Sequence, residues 1–437
     1  MKNIIAIVFP QHGTNKDGLL LYSNIEPGIL HVIPPDTEDI KAKYIHFHKD
    51  IKNINDREVE YYLCSVYITG VQEFLEFSKT VDKNKIILGG VQPTMTPELF
   101  KGTYFKLVKG LCNDLYKTIN QIGDIVPGIM THQHLPRYDL YNTDWNCQII
   151  PDRAAHDKCA SINTSIGCIH NCEFCCTPVM YGRTIYKKPL DFLQKEVRLL
   201  TQNNQIKFKN VFIRDENLFM LDDWDARLDI LRNEELSEKY HCFASADKIK
   251  GHAKKILEKG IQLVNLDFGI PKRIEKKNKK FYETCIECFD EGLQTQIAFI
   301  INPVEVSDPK KEDEMYEILN DMVEKCKPTM LSGNFLMPFP GTRIARKFNI
   351  KTEDYHKFIL KSASLLLNDQ ATINRLEHNM YQFQLNYFES NAYNKIRKFR
   401  CGDVLDLKYQ QLAKIFSTPE LKLKFDGIGF DRKYDQN

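Results

Sequence analysis

From residue 160 to residue 337 the chain alternates short apolar runs with longer stretches whose apolar residues recur at helical spacing, and this beat limits the fold more than any other feature. Strands are expected over 160–165, 210–214, 240–245, 262–268, 294–301 and 330–337. Helices fit between them over 189–202, 224–232, 253–259, 280–291 and 311–326. Neighbouring parallel strands need a crossover connection, and a helix is the usual one, so the alternation implies a parallel sheet. Six units are too few for a closed eight-stranded barrel and predict a partial (βα)6 barrel of TIM type.

A second, shorter beat precedes it. Residues 4–9, 44–48, 62–68, 86–89 and 105–108 read as buried strands, with a helix over 71–81, and imply a doubly wound, Rossmann-like α/β domain. The expected division is therefore a Rossmann-like domain over 1–128, a Pro-containing linker over 129–159, the partial barrel over 160–345 and a helical substrate or cap region over 346–437. In that last region helices are expected over 353–367, 373–397 and 407–416.

Composition narrows the function classes. Lys+Arg exceed Asp+Glu by two, giving a formal net charge of +2, so no bulk attraction to nucleic acid or anionic lipid is implied. No run reaches the roughly 18 apolar residues that cross a bilayer, and the opening apolar run is too short for a signal sequence and is broken by Pro10, so a cytoplasmic protein is expected. In that compartment 13 cysteines are better read as metal ligands, redox groups and small core residues than as disulfides.

Three of those cysteines carry the chemistry. Thr164-Ser-Ile-Gly-Cys168-Ile-His-Asn-Cys172-Glu-Phe-Cys175 follows the first barrel strand with C-x3-C-x2-C spacing. Three thiolates on one loop hold three irons of a [4Fe-4S] cubane and leave the fourth open to a chelating ligand. Gly167 would let the strand turn sharply into the loop. A zinc site is the competing reading, with His170 or Cys176 as a fourth ligand in strained positions. Cys285 and Cys288 form a separate C-x2-C pair, but on an expected helix that lacks two further ligands.

The run GCIHNCEFC resembles the hallmark of the radical S-adenosylmethionine (SAM) superfamily, and the alternating first domain resembles its branch with an N-terminal cobalamin-binding-type domain. The resemblance implies that Cys168, Cys172 and Cys175 hold the cluster and that the open iron chelates the amino and carboxylate groups of SAM. One-electron cleavage of SAM would then yield a 5′-deoxyadenosyl radical. Phe174 falls in the aromatic slot near the adenine. Asp215, Glu216, Ser245, Asp247 and Asn302, at the ends of barrel strands, match positions that contact SAM. Met337-Pro-Phe-Pro-Gly-Thr342 resembles the branch's PFPGT signature. In the first domain Ile86-Ile-Leu-Gly89-Gly90-Val-Gln-Pro93-Thr94 resembles the glycine motif beside the corrinoid, which implicates Gly89, Gly90 and Thr94 in binding cobalamin.

Departures from the pattern bear on substrate and cofactor. Ile166 stands where the family often has Arg, and Phe268-Gly269-Ile270-Pro271 replaces its Gly-Glu-Ser. The axial-histidine motif Asp-x-His-x-x-Gly is absent, and a later Gly-Glu-Gly-Glu landmark is reduced to Lys109-Gly110-Leu-Cys112-Asn-Asp114. The expected activity is cobalamin-dependent methylation of an unactivated carbon in a peptide or natural-product precursor, with a flavodoxin- or ferredoxin-type reductant as partner. The alternatives are a cobalamin-free radical reaction such as epimerisation, with Cys401 or Cys326 as hydrogen donor, and a non-catalytic iron–sulfur or corrinoid sensor. RNA modification is disfavoured by the absence of a basic stripe.

Overall fold

This computed structural model describes residues 2–9, 27–45, 54–132, 134–140, 159–203, 208–271, 275–358, 362–390 and 393. The described residues group into two compact units. One collects residues up to Lys209 together with Asn233–Leu236 and Pro338–His356; the other collects Asn210–Arg232, Ser237–Met337 and residues from Lys357 onward.

The first unit is built on six parallel strands: β1 (Lys2–Phe9), β2 (Ile40–Ile45), β3 (Val59–Val66), β4 (Ile86–Gly89), β5 (Lys106–Lys109) and β6 (Ile125–Pro127). Their order is β2-β1-β3-β4-β5-β6, so the chain reverses direction of winding between β1 and β3. Ligands of doubly wound sheets bind at such a switch point, beyond the strands' C-terminal ends. The strands read as apolar runs because both faces are covered. One face packs Ile4, Ala6, Val8, Leu63, Ile87 and Val108 against Ile29, Leu30 and Ile33 at helix α1 (Pro27–Val32) and against Leu115 and Ile119. The other face stacks Phe9 and Tyr62 on Phe74 and Phe77 of α2 (Val71–Phe77). Each such fully buried side chain contributes about 1.5–3 kcal/mol of transfer free energy.

The same unit contains the expected cluster loop. Strand β7 (Cys159–Ile162) leads into β8 (Ser165–Ile166), which pairs antiparallel with β9 (Tyr186–Lys187). This two-residue ladder and the bond from Lys188 N to Thr164 O close the base of the excursion between them.

The second sheet has the order β14-β13-β12-β11-β10-β7, with β10 (Phe208–Ile213), β11 (Ser237–Ala244), β12 (Ile261–Gly269), β13 (Gln294–Ile301) and β14 (Met330–Phe335). The pairs from β11 to β14 are parallel, which gives the partial barrel. Along β13 buried Thr295, Ile297, Phe299 and Ile301 alternate with the less buried Gln296, Ala298, Ile300 and Asn302, so two faces are distinguished. Phe299 packs on Phe383, and Phe268 of β12 packs on Phe281, so the buried series faces the outer helices and the other series faces the concave side.

Two expectations for the C-terminal region change. Residues 353–367 do not form one helix: Thr352–Lys357 is a 3-10 turn, and Glu377 accepts bonds from Ala363 N and Ser362 Oγ, which holds that segment as a turn. The long helix α3 (Gln370–Glu389) acts as the sixth helix of the barrel, because it packs on β14: Gln384 Oε1 accepts from Gly333 N at 3.2 Å, and a Cβ on Gly333 would lie 2.9 Å from Met380 Cγ. The expected helix over 407–416 lies outside the described residues.

Candidate active site

The loop that carries the three cysteines is shaped by its glycine and gripped from a distant segment. Gly167 has φ +104°, and a Cβ there would lie 2.1 Å from Thr184 O, so only glycine turns the chain out of β8. Cys175 N donates to Cys172 O at 3.3 Å, and Arg183 Nε donates to Ile169 O at 2.9 Å. Beyond the PFPGT run, Ile344 N donates to Glu173 O at 3.0 Å, Arg343 Nη2 donates to Asn171 O, and Lys347 pairs with Glu173 at 3.2 Å. The signature thus delivers a three-residue clamp onto the loop. Cys172 is exposed, while Cys168, Phe174 and Cys175 are partly buried. Among the described residues no three His, Cys, Asp or Glu side chains converge as a metal-holding group, so the ligand assignment rests on spacing, on the shared loop and on an all-sulfur donor set.

A short helix, α4 (Thr177–Tyr181), starts immediately after Cys176 and forms a wall of the pocket in the same unit. That pocket is a half-open hollow, about 800 Å3 when the adjoining open solvent is counted, at the C-terminal ends of β3, β4 and β5. Its lining is mostly apolar: Leu63, Leu88, Val108, Leu111, Leu115 and Met180 among others, with Gly89, Gly90, Cys64 and Cys112. Gly90 has φ +95° and ψ −170°, a region open to glycine almost alone. A Cβ there would lie 2.7 Å from Ser65 Oγ and 2.8 Å from Val66 N. Thr94 is tied down, donating to Gly90 O at 2.8 Å and accepting from Gly110 N at 3.2 Å, so it shapes the glycine turn. An apolar pocket floored by paired glycines fits a broad flat ligand, as the corrinoid reading requires. Burial pushes the Cys64 and Cys112 thiols up, so both stay protonated at neutral pH.

Beside α1 lies a buried ionic network that the sequence reading missed. Lys188 Nζ meets Glu196 Oε2 at 2.5 Å, and Tyr138 OH donates to Glu196 Oε1 at 2.7 Å, with Glu196 fully buried. His31 Nε2 is 3.8 Å from the same carboxylate, yet burial and then the Lys188 charge hold its imidazole well below the ordinary value. His31 is therefore neutral there, and the contact is not an ion pair. Only the fold brings Tyr138 and His31 to Lys188 and Glu196.

In the second unit the strand-end residues divide. Asp215 is fully buried and raises the Cys242 thiol after burial itself, so it sits in the wall behind the strands. Glu216 is partly buried and Asp247 is exposed. Asn217 Nδ2 donates to Ser245 Oγ at 2.5 Å, which joins the ends of β10 and β11. Asn217 Oδ1 and Asn302 Oδ1 are buried with no donor among the described residues. Buried acceptors of this kind call for partners, and the ammonium and ribose hydroxyls of SAM are donors that fit them. Cys326 is 1% exposed at the C-terminal end of the helix before β14. That helix runs antiparallel to the strands, so Cys326 lies at the strands' N-terminal ends, the wrong end for a hydrogen donor. Cys285 and Cys288 are fully buried, and the free thiols of Cys285 and Cys326 share a hydrogen bond, consistent with core packing. Cys401 lies outside the described residues.

This architecture, a parallel six-stranded domain followed by a partial barrel with a three-cysteine loop, shares its fold with a solved radical SAM methyltransferase. The radical SAM methyltransferase TsrM from Kitasatospora setae, in a structure with cobalamin and a [4Fe-4S] cluster bound, superposes with a TM-score of 0.52 at 14% identity, over 81% of this chain and 78% of that one. A second TsrM structure, with tryptophan substrate and a SAM analogue bound, gives 0.51 at 13% identity, over 79% and 76%. In sequence the chain is 22% identical over 278 residues to hopanoid C-3 methylase from Methylococcus capsulatus, covering 57% of this chain and 51% of the relative. The chain thus spans about half the length of that curated relative. No known family's sequence profile matches it. No helix among the described residues is long and apolar enough to cross a membrane.

Proposed function

We propose that the chain is a cobalamin-dependent radical SAM methyltransferase acting on an unactivated carbon. The observation that carries this reading is the continuity of one segment: the loop with Cys168, Cys172 and Cys175 runs directly into α4, which walls the glycine-floored pocket. One stretch of chain therefore serves both expected cofactors. Both named relatives are methylating enzymes, which supports methylation over other radical outcomes.

When bound, the cofactors would supply reductive cleavage of SAM and a methyl group carried on cobalt. The chain's own residues position and shield. The three cysteines offer thiolates and leave one iron open. Gly90 removes the side chain that would otherwise press into β3, and the aliphatic lining keeps water from a flat ligand. Asn217 and Asn302 offer amide oxygens to hydrogen-bond donors, while Ser245 fixes the orientation of Asn217. A flavodoxin- or ferredoxin-type protein would deliver the electron, and the substrate is a peptide or small natural-product precursor.

Anaerobic reconstitution with iron, sulfide and hydroxocobalamin, followed by desalting, is expected to leave about four irons and about one cobalt per chain. Iron without cobalt would reject methylation by a corrinoid route, and the absence of both would reject the class.

A further inference from the structure

We infer that Arg214 binds a carboxylate of the substrate on the concave side of the second sheet. Arg214 directly follows β10, and along that strand buried Val211 and Ile213 alternate with the less buried Phe212 and Arg214. By this parity Phe212 and Arg214 share a face. Phe212 packs edge-on against Phe243 at 5.0 Å, and Phe243 of β11 remains 42% exposed. An exposed aromatic surface therefore lies one strand step below the guanidinium.

Arg214 Nη1 is buried and has no hydrogen-bond acceptor among the described residues. A guanidinium is always charged, and a buried charged donor left unsatisfied costs more than a neutral one. Such a cost persists where a ligand satisfies the group. None of the described acids accepts from Nη1, Asp215, Glu216 and Asp247 included. The planar fork of a guanidinium matches a carboxylate, and the aromatic pair suits an apolar group next to it.

This inference rests on the proposed function in one respect. There the carboxylate of SAM is taken by the open iron, so the anion at Arg214 belongs to the substrate. The motif residues Asp215 and Glu216 both follow Arg214, which itself matches no motif position.

Ligand-observed NMR on the full, metal-free chain tests it, with phenylacetate as probe and phenylacetamide as its neutral isostere. Wild type should bind phenylacetate at least about tenfold more tightly than phenylacetamide, and Arg214→Met should remove the preference. Arg214→Lys should keep part of it, since the charge remains without the fork. Arg214→Met should also melt no lower than wild type, because it deletes an unsatisfied charge; a lower melting temperature would mean a structural partner and overturn the assignment. Equal binding of the two probes by wild type, or an unchanged preference in Arg214→Met, would overturn it as well. On the protein with its cluster reconstituted, saturating SAM should leave phenylacetate bound; displacement would give the guanidinium to the carboxylate of SAM and overturn the substrate assignment. The comparison of probes and variants needs no cluster or corrinoid, so failure of reconstitution would not affect it.

Discussion

Replacing Gly90 with alanine tests whether the glycine motif is a packing requirement at the pocket floor. The backbone at φ +95° and ψ −170° costs a non-glycine residue about 1–3 kcal/mol. The added methyl would also sit 2.8 Å from Val66 N, on a central strand that cannot retreat, and 2.7 Å from Ser65 Oγ, which can rotate away only in part. Overpacking of this kind costs a further ~1–3 kcal/mol, giving a total of about 2–6 kcal/mol against a domain stability of about 5–15 kcal/mol. Gly102 provides the control, since it too has positive φ (+83°) but a Cβ there meets nothing within 4 Å. Urea unfolding followed by circular dichroism should show Gly90→Ala destabilised more than Gly102→Ala. Hydroxocobalamin retention should be lost in the first variant and kept in the second. Equal destabilisation of the two would refute the steric argument.

Two further perturbations read the buried polar groups. Glu196→Gln should lower stability by about 3–5 kcal/mol, measured by urea midpoint, because it leaves the Lys188 charge buried beside a neutral amide; a loss under about 1 kcal/mol would mean that the pair is solvated. His241 is held down to about 4 by burial, with Lys239 adding to it, so the unfolded chain takes up a proton that the folded chain refuses as pH falls from about 6.5 towards 4. Stability is therefore full above pH 6.5 and should fall by up to about 1.4 kcal/mol per pH unit below it from this residue. Comparing urea midpoints at pH 7 and pH 5 should show a shallower loss in His241→Asn, and an identical loss would refute the assignment.

The sequence revealed what is periodic or local. The runs 86–89 and 294–301 coincide with β4 and β13, because continuous or alternating apolar residues flanked by turns leave little choice of period. Gly167 was legible as the turn out of β8, since only glycine fits the close approach to Thr184 O. Strand β6 was missed: it has three residues, and only Val126 among them is buried, so no period is expressed. Residues 353–367 misled because their apolar content mimics a helix, while a buried carboxylate far along the chain, Glu377, holds part of the segment as a turn. Arg214 was visible but unreadable, because a charge at a strand end acquires meaning only when its burial and missing acceptor are known. The network of His31, Tyr138, Lys188 and Glu196 spans residues 31 to 196 and leaves no local signal at all.

Every role proposed for SAM depends on an open iron held by the three cysteines. Low-temperature electron paramagnetic resonance of the reconstituted, dithionite-reduced protein should show a [4Fe-4S]+ signal that shifts when SAM is added and is absent from Cys172→Ala. A signal indifferent to SAM, or one that survives in Cys172→Ala, would contradict the assignment of Cys168, Cys172 and Cys175 as the ligands of a SAM-binding cluster.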